Sequence, residues 1–227
     1  MKISEIFYSV QGEGMLAGTP SVFVRTSGCN LRCTWCDTPY TSWAPEGTTM
    51  GPARVVEEVR RHPSAHVVVT GGEPMIQKEI VELTHQLRDA GLRITIETAG
   101  TVLAPVLCDL MSISPKLANS TPADREEGRW AIAHQRLRWQ PEVIRALMAG
   151  YSYQLKFVIA APEDIEEVEQ MIDTVEADRS RVVLMPEGTE AETLMERGRW
   201  LVEICKERGY RFSPRLHVML WGNRRGV

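Results

Sequence analysis

The chain has 227 residues, a formal net charge of -4 and five cysteines, enough to bury one substantial core but not two comfortable ones. Lys and Arg are scattered instead of gathered into a stripe, which argues against a large phosphate-backbone footprint. No run is long and apolar enough for a bilayer span or a secretory signal, so one cytoplasmic domain is expected, binding neither nucleic acid nor membrane.

In chain order, β-rich runs at 22–26, 67–70, 93–97, 111–113, 154–159 and 181–184 predict strands. Helical periodicity falls between them at 52–61, 77–90, 141–148, 163–175 and 190–208. Strands alternating with helices predict an α/β fold with a mainly parallel sheet, whose functional loops leave the carboxyl ends of the strands. Four unusual loops follow successive strands and so are expected at one end: Cys29 and its neighbours, Gly71-Gly72-Glu73-Pro74, Thr98-Ala99-Gly100 and Ser114-Pro115-Lys116. The charged stretch 118–140, with two tryptophans, is too long for a tight connection and reads as a lid, an insertion or an oligomer contact.

Three of the cysteines, Cys29, Cys33 and Cys36, form C-x3-C-x2-C, close enough for one loop to wrap one inorganic centre. Cys108 and Cys205 stand alone in apolar surroundings and read as core residues. A structural zinc asks for a fourth Cys or His, and the nearest histidine, His62, is distant and has no partner at finger spacing. A redox C-x2-C would leave Cys29 unexplained. A four-iron cluster on three thiolates keeps one iron open for an exogenous ligand, which makes the same count favour catalysis.

With Gly71-Gly72-Glu73-Pro74 after a Val-Val-Val-Thr strand, the cysteine spacing resembles the signature of the radical S-adenosylmethionine superfamily. Within it the chain resembles the 7-carboxy-7-deazaguanine synthase family over nearly its whole length. The residues carrying that likeness are Tyr8-Ser9-Val10-Gln11-Gly12-Glu13-Gly14, Val24-Arg25-Thr26-Ser27-Gly28, Cys36-Asp37-Thr38, Ser114-Pro115-Lys116, Gln154-Leu155-Lys156-Phe157 and Leu216-His217. The resemblance implies a single-domain partial (β/α) barrel holding a [4Fe-4S] cluster on Cys29, Cys33 and Cys36. Reductive cleavage of S-adenosylmethionine then gives a 5′-deoxyadenosyl radical. It further implies radical ring contraction of 6-carboxy-5,6,7,8-tetrahydropterin to 7-carboxy-7-deazaguanine with loss of ammonia, in queuosine and 7-deazapurine biosynthesis. Mg2+, an external flavodoxin- or ferredoxin-type electron donor and a homodimer come with it.

Carried over position by position, Thr38 would ligate Mg2+. S-adenosylmethionine would meet Trp35, Asp37, Gly72, Glu73, Glu97, Ser114, Pro115, Lys116 and Gln154. The pterin would meet Val10, Gln11, Gly12, Glu13, Arg25 and Thr70, with His217, beside a terminal strand, and the Val227 carboxylate at its far end. The residue types suit these roles: Gln11 and Glu13 complement an amide and amino edge, and an arginine such as Arg25 can fork onto a carboxylate. Two other readings remain open at this point, a glycyl-radical-enzyme activase with a protein substrate and a zinc-stabilised binding domain.

Overall fold

The computed structural model describes every residue from Met1 to Val227. Its strands are β1 (Lys2–Val10), β2 (Pro20–Thr26), β3 (Thr48–Thr49), β4 (His66–Gly71), β5 (Arg93–Thr98), β6 (Leu110–Ile113), β7 (Tyr153–Ile159), β8 (Val182–Pro186) and β9 (Arg211–Phe212). Its helices are α1 (Pro39–Ser42), α2 (Pro52–Val59), α3 (Ile80–Asp89), α4 (Ala131–Leu137), α5 (Pro141–Gly150), α6 (Asp164–Val175), α7 (Ala191–Arg208) and α8 (Leu216–Trp221). No helix is long and apolar enough to cross a membrane.

The strands form one sheet in the order β3-β1-β2-β4-β5-β6-β7-β8-β9. From β2 to β9 every pairing is parallel, whereas β1 runs antiparallel to both β2 and β3. The sheet is open, since β3 and β9 lie at opposite ends of that order. This is the partial barrel expected, extended at one edge by a hairpin.

Parallel strands covered on both faces read as unbroken apolar runs, and Val67, Val68 and Val69 of β4 are all fully buried. The helices instead bury one stripe. In α3 it is Ile80, Leu83, Thr84 and Leu87, and in α6 it is Ile165, Val168, Met171, Ile172 and Val175. α2, predicted to reach Arg61, ends at Val59, and α3 begins at Ile80 because Pro74–Ile76 forms a separate 3-10 turn. The long β1 was not visible in the sequence: its register with β2 shifts between Ile3 and Glu5, and such a bulge breaks the two-residue alternation.

Because β2, β4, β5 and β6 are adjacent and parallel, the four loops singled out above do share one end of the sheet. Backbone bonds tie them together: Gly72 N donates to Thr26 O at 3.1 Å, Glu73 N to Gly28 O at 2.9 Å, and Ser114 N to Thr98 O at 2.8 Å.

Candidate active site

The cysteine loop starts where β2 ends and is braced from behind. Gly28 N donates to Thr41 O at 2.8 Å and Thr34 N to Ser120 O at 2.8 Å. Two indoles hold its middle, Trp43 Nε1 on Cys33 O at 3.0 Å and Trp35 Nε1 on Asn119 Oδ1 at 3.1 Å. Arg32 N donates to His134 Nδ1 at 3.1 Å, so that nitrogen carries no proton and Nε2–H faces Ser120 Oγ at 2.9 Å. Burial, with Arg138 and Lys116 nearby, lowers His134 to about 4, which keeps the ring neutral. Stretch 118–140 is thus a brace for the cysteine loop: it contains the 3-10 turn Ala118–Ser120 and α4, and none of its residues lines the cavity described next.

Cys29, Cys33 and Cys36 share one small apolar cluster with Leu31, Trp35, Ala99 and Leu137. Burial pushes the Cys29 and Cys33 thiols up to about 12, a setting in which a bound cationic centre, not solvent, would have to draw off the protons. No group of three His, Cys, Asp or Glu side chains is arranged to enclose a single metal ion. Three neighbouring thiols with no fourth protein ligand suit a larger iron–sulfur centre. Polar groups already face two sulfurs: Leu31 N donates to Cys29 Sγ at 3.3 Å, and Ser42 Oγ lies 3.2 Å from Cys36 Sγ.

The thiols form one wall of a cavity of about 440 Å³, room for a cofactor and a small substrate. The same cavity is lined by a charged network. Glu13 pairs with Lys156 and, at 3.1 Å, with Arg215 Nε; Arg215 also pairs with Asp37. Burial alone would raise the Glu13 carboxyl, but the charges of Lys156 and Arg215 outweigh it and hold it well below the usual carboxylate range. Burial likewise opposes ionisation of Asp37 and Lys156, and Arg215 and Glu13 respectively overcome it. Beside this group, Gln11 Nε2 donates to Glu97 Oε1 at 3.0 Å and Thr70 Oγ1 to Glu97 Oε2 at 2.7 Å.

Arg25 reaches the cavity from β2. Its Nε is ion-paired with Glu5 Oε1 at 2.7 Å. With Nε held there, the two terminal nitrogens of the guanidinium are the donors left for an anionic group supplied from outside the chain.

Eighteen of the twenty-one residues predicted for the site line this cavity: Cys29, Cys33, Cys36, Thr38, Trp35, Asp37, Gly72, Glu97, Ser114, Lys116, Val10, Gln11, Gly12, Glu13, Arg25, Thr70, His217 and Val227. Glu73, Pro115 and Gln154 do not. Glu73 is fully buried; its carboxylate accepts from Met75 N, Thr98 Oγ1 and Ala99 N at 3.0, 2.8 and 2.8 Å, which locks the loop after β4 to the end of β5. Gln154 is similarly occupied, donating to Ser112 Oγ at 2.7 Å and accepting from Met15 N at 2.7 Å. His217 sits on a helix, α8, which follows the terminal strand ending at Phe212. Its ring fills the space where Gly12 would carry a side chain: a Cβ there would be 2.0 Å from His217 Nδ1. Burial lowers His217, so it is neutral at pH 7.

Two central residues were not assigned to the site. Lys156 had a signal beyond the motif that contains it, a charge within the Tyr153–Ile159 strand, all of it buried. Arg215 had none, because its partners Asp37 and Glu13 lie 178 and 202 residues away in sequence.

Residues 23–118 match the family described as the Radical SAM superfamily. Over 98% of its length the chain is 46% identical to the 7-carboxy-7-deazaguanine synthase of Halobacterium salinarum, covering 91% of that protein. It is 45% identical over 99% of its length to the same enzyme of Rhodopirellula baltica, covering 88% of it. The fold is similar to the crystal structure of QueE from Escherichia coli, with a TM-score of 0.73 and 25% identity, across 95% of this chain and 94% of that one.

Proposed function

On the premise that the chain belongs to the 7-carboxy-7-deazaguanine synthase family of radical S-adenosylmethionine enzymes, we propose that it contracts the ring of 6-carboxy-5,6,7,8-tetrahydropterin to 7-carboxy-7-deazaguanine, with loss of ammonia. The observation that carries this substrate is that the three thiols share one cavity with the charged side chains of Arg25, Glu13 and Glu97.

When bound, a [4Fe-4S] cluster and S-adenosylmethionine supply one-electron reductive cleavage and a radical that abstracts hydrogen. The chain's own residues bind, aim and enclose. Arg25 receives the substrate carboxylate on its free donors, fixing it by geometry as well as charge. Glu13, kept ionised by Lys156 and Arg215, and Gln11, held by Glu97, accept from the amide and amino edge of the pterin. Neutral His217, wedged against Gly12, closes that side without adding charge. Held at both ends, the pterin presents its C6 hydrogen towards the cysteine wall, and such positioning is the largest lever the protein has.

Ser114 and Lys116, bonded to each other at 2.9 Å, suit the carboxylate and ribose of the cofactor, with the ammonium of Lys116 5.8 Å from the Trp35 ring centre. Thr38 Oγ1, 3.8 Å from Cys36 Sγ, is offered to Mg2+, an ion that keeps several waters and commonly binds together with its substrate. A flavodoxin- or ferredoxin-type donor, a homodimer, a cytoplasmic setting and a place in queuosine biosynthesis complete the reading.

The deciding experiment is anaerobic incubation of reconstituted protein with the pterin, S-adenosylmethionine, reductant and Mg2+, followed by mass spectrometry. The expected products are 7-carboxy-7-deazaguanine and ammonia. Cluster formation and S-adenosylmethionine cleavage without pterin turnover would overturn the substrate assignment.

A further inference from the structure

Resting on the reading just given, we infer that Arg215 is a positioning residue coupling the substrate-recognition loop to the cysteine loop, so that the pterin and the radical source are held in register. The guanidinium is buried, at 6% exposure, and its three nitrogens serve three different segments. Nε meets Glu13 of the β1–β2 loop at 3.1 Å, one terminal nitrogen meets Asp37 of the cysteine loop, and the other donates to Gly188 O, beyond β8, at 2.6 Å.

Two of those connections have no substitute. No other hydrogen bond or ion pair joins residues 11–19 to residues 29–38. Asp37 is one peptide from Cys36 and one from Thr38, so a side chain that fixes it fixes a cluster thiol and the proposed Mg2+ hydroxyl together. On the other side the anchor is firm: Leu216 N donates to Gly12 O at 2.9 Å and Gly14 N to Ser213 Oγ at 2.7 Å, so 213–217 and the recognition loop move as one. Glu13 keeps Lys156 as a counter-ion whether or not Arg215 is present. What Arg215 adds is geometry, three donors held in one plane at fixed angles, which a lysine cannot reproduce.

The informative variants are Arg215→Lys, which preserves the charge and avoids leaving Glu13 and Asp37 one cation short, and Asp37→Asn, which weakens only the far connection by removing its charge while keeping an acceptor. In Arg215→Lys, cluster absorbance and 5′-deoxyadenosine formation in the absence of pterin should stay near the parent's; Asp37→Asn, at a residue expected to meet the cofactor, is compared on the coupling ratio alone. With pterin present, KM should rise in Arg215→Lys and the ratio of 5′-deoxyadenosine to deazaguanine product should increase about tenfold in each variant, as expected when reacting groups are misplaced. The double variant should be little worse than either single one, since both act on one linkage. Hydrogen exchange should quicken at 36–42 in Arg215→Lys and stay unchanged in β8. An unchanged coupling ratio in a stably folded Arg215→Lys protein would overturn the inference, as would parallel losses of pterin-free cleavage and coupled turnover that track a fall in melting temperature. If the parent does not turn over the pterin, the substrate reading falls, and the exchange measurement still judges whether Arg215 ties the two loops.

Discussion

A Cβ placed on Gly72 would lie 2.1 Å from the carbonyl oxygen of Gly28, so the loop after β4 and the start of the cysteine loop are in backbone contact. Thr41 O would be 2.8 Å from the same point, and neither carbonyl can swing away as a side-chain tip can. Gly72→Ala should therefore destabilise the protein by about 1–3 kcal/mol and lower its iron content. Urea denaturation and iron analysis on the reconstituted variant check both.

Cys29→Ala, Cys33→Ala and Cys36→Ala should each abolish product formation, because the proposed cluster takes all three thiolates of the loop as its protein ligands. Cys108→Ala and Cys205→Ala should leave the cluster spectrum intact, although Cys205 packs in the main core and its loss should be visible in the melting temperature. Anaerobic reconstitution followed by absorbance and turnover separates the two groups.

Arg25→Lys should weaken pterin binding while sparing S-adenosylmethionine, with a loss on the order of 1–3 kcal/mol if a charged hydrogen bond to the carboxylate disappears. Direct titration of each ligand reads this. Equal pterin affinity would return Arg25 to a plain ion-pair partner of Glu5.

Thr38→Ala should leave the fold alone, because Thr41 Oγ1 donates to the backbone oxygen of residue 38 at 2.9 Å, a bond the substitution keeps. It should raise the Mg2+ concentration needed for half-maximal rate and increase uncoupled 5′-deoxyadenosine. A magnesium titration identical to the parent's would refute the metal assignment.

His134, ordinarily near 6.5 and lowered to about 4 by burial, binds a proton more readily in the unfolded chain than in the folded one. Stability should accordingly fall as pH drops from about 6.5 to about 4 and level off below, by on the order of 2 kcal/mol. His134→Asn offers an uncharged acceptor to Arg32 N and should flatten that slope, though not the contribution of the carboxylates. Urea midpoints across the range decide it.

What the sequence made legible follows from the range of each interaction. Six of the seven parallel strands were found because apolar β-branched runs such as Val67–Val69 announce themselves locally. The cysteine loop was found because its spacing is its chemistry. Glu73, expected to meet the cofactor, has its carboxylate occupied within the chain, capping Met75 N and reaching across to Ala99 N, and a Gly-Gly-Glu-Pro turn looks the same in sequence whichever way that carboxylate faces. Arg215 was invisible: whether an arginine near the end of a chain meets Asp37 depends on how nine strands stack, which no local pattern records.

The sheet has two free margins, and each is a strand of only two residues, Thr48–Thr49 at one end and Arg211–Phe212 at the other. At the first margin β3 pairs with β1 only at Lys2 and Ile3, so most of that nine-residue strand presents its own outer edge, whereas at the second an exposed arginine repels a copy of itself. A neighbouring strand would therefore add along β1 and not at the Arg211 margin, and charge substitutions meant to keep the protein dispersed belong on β1.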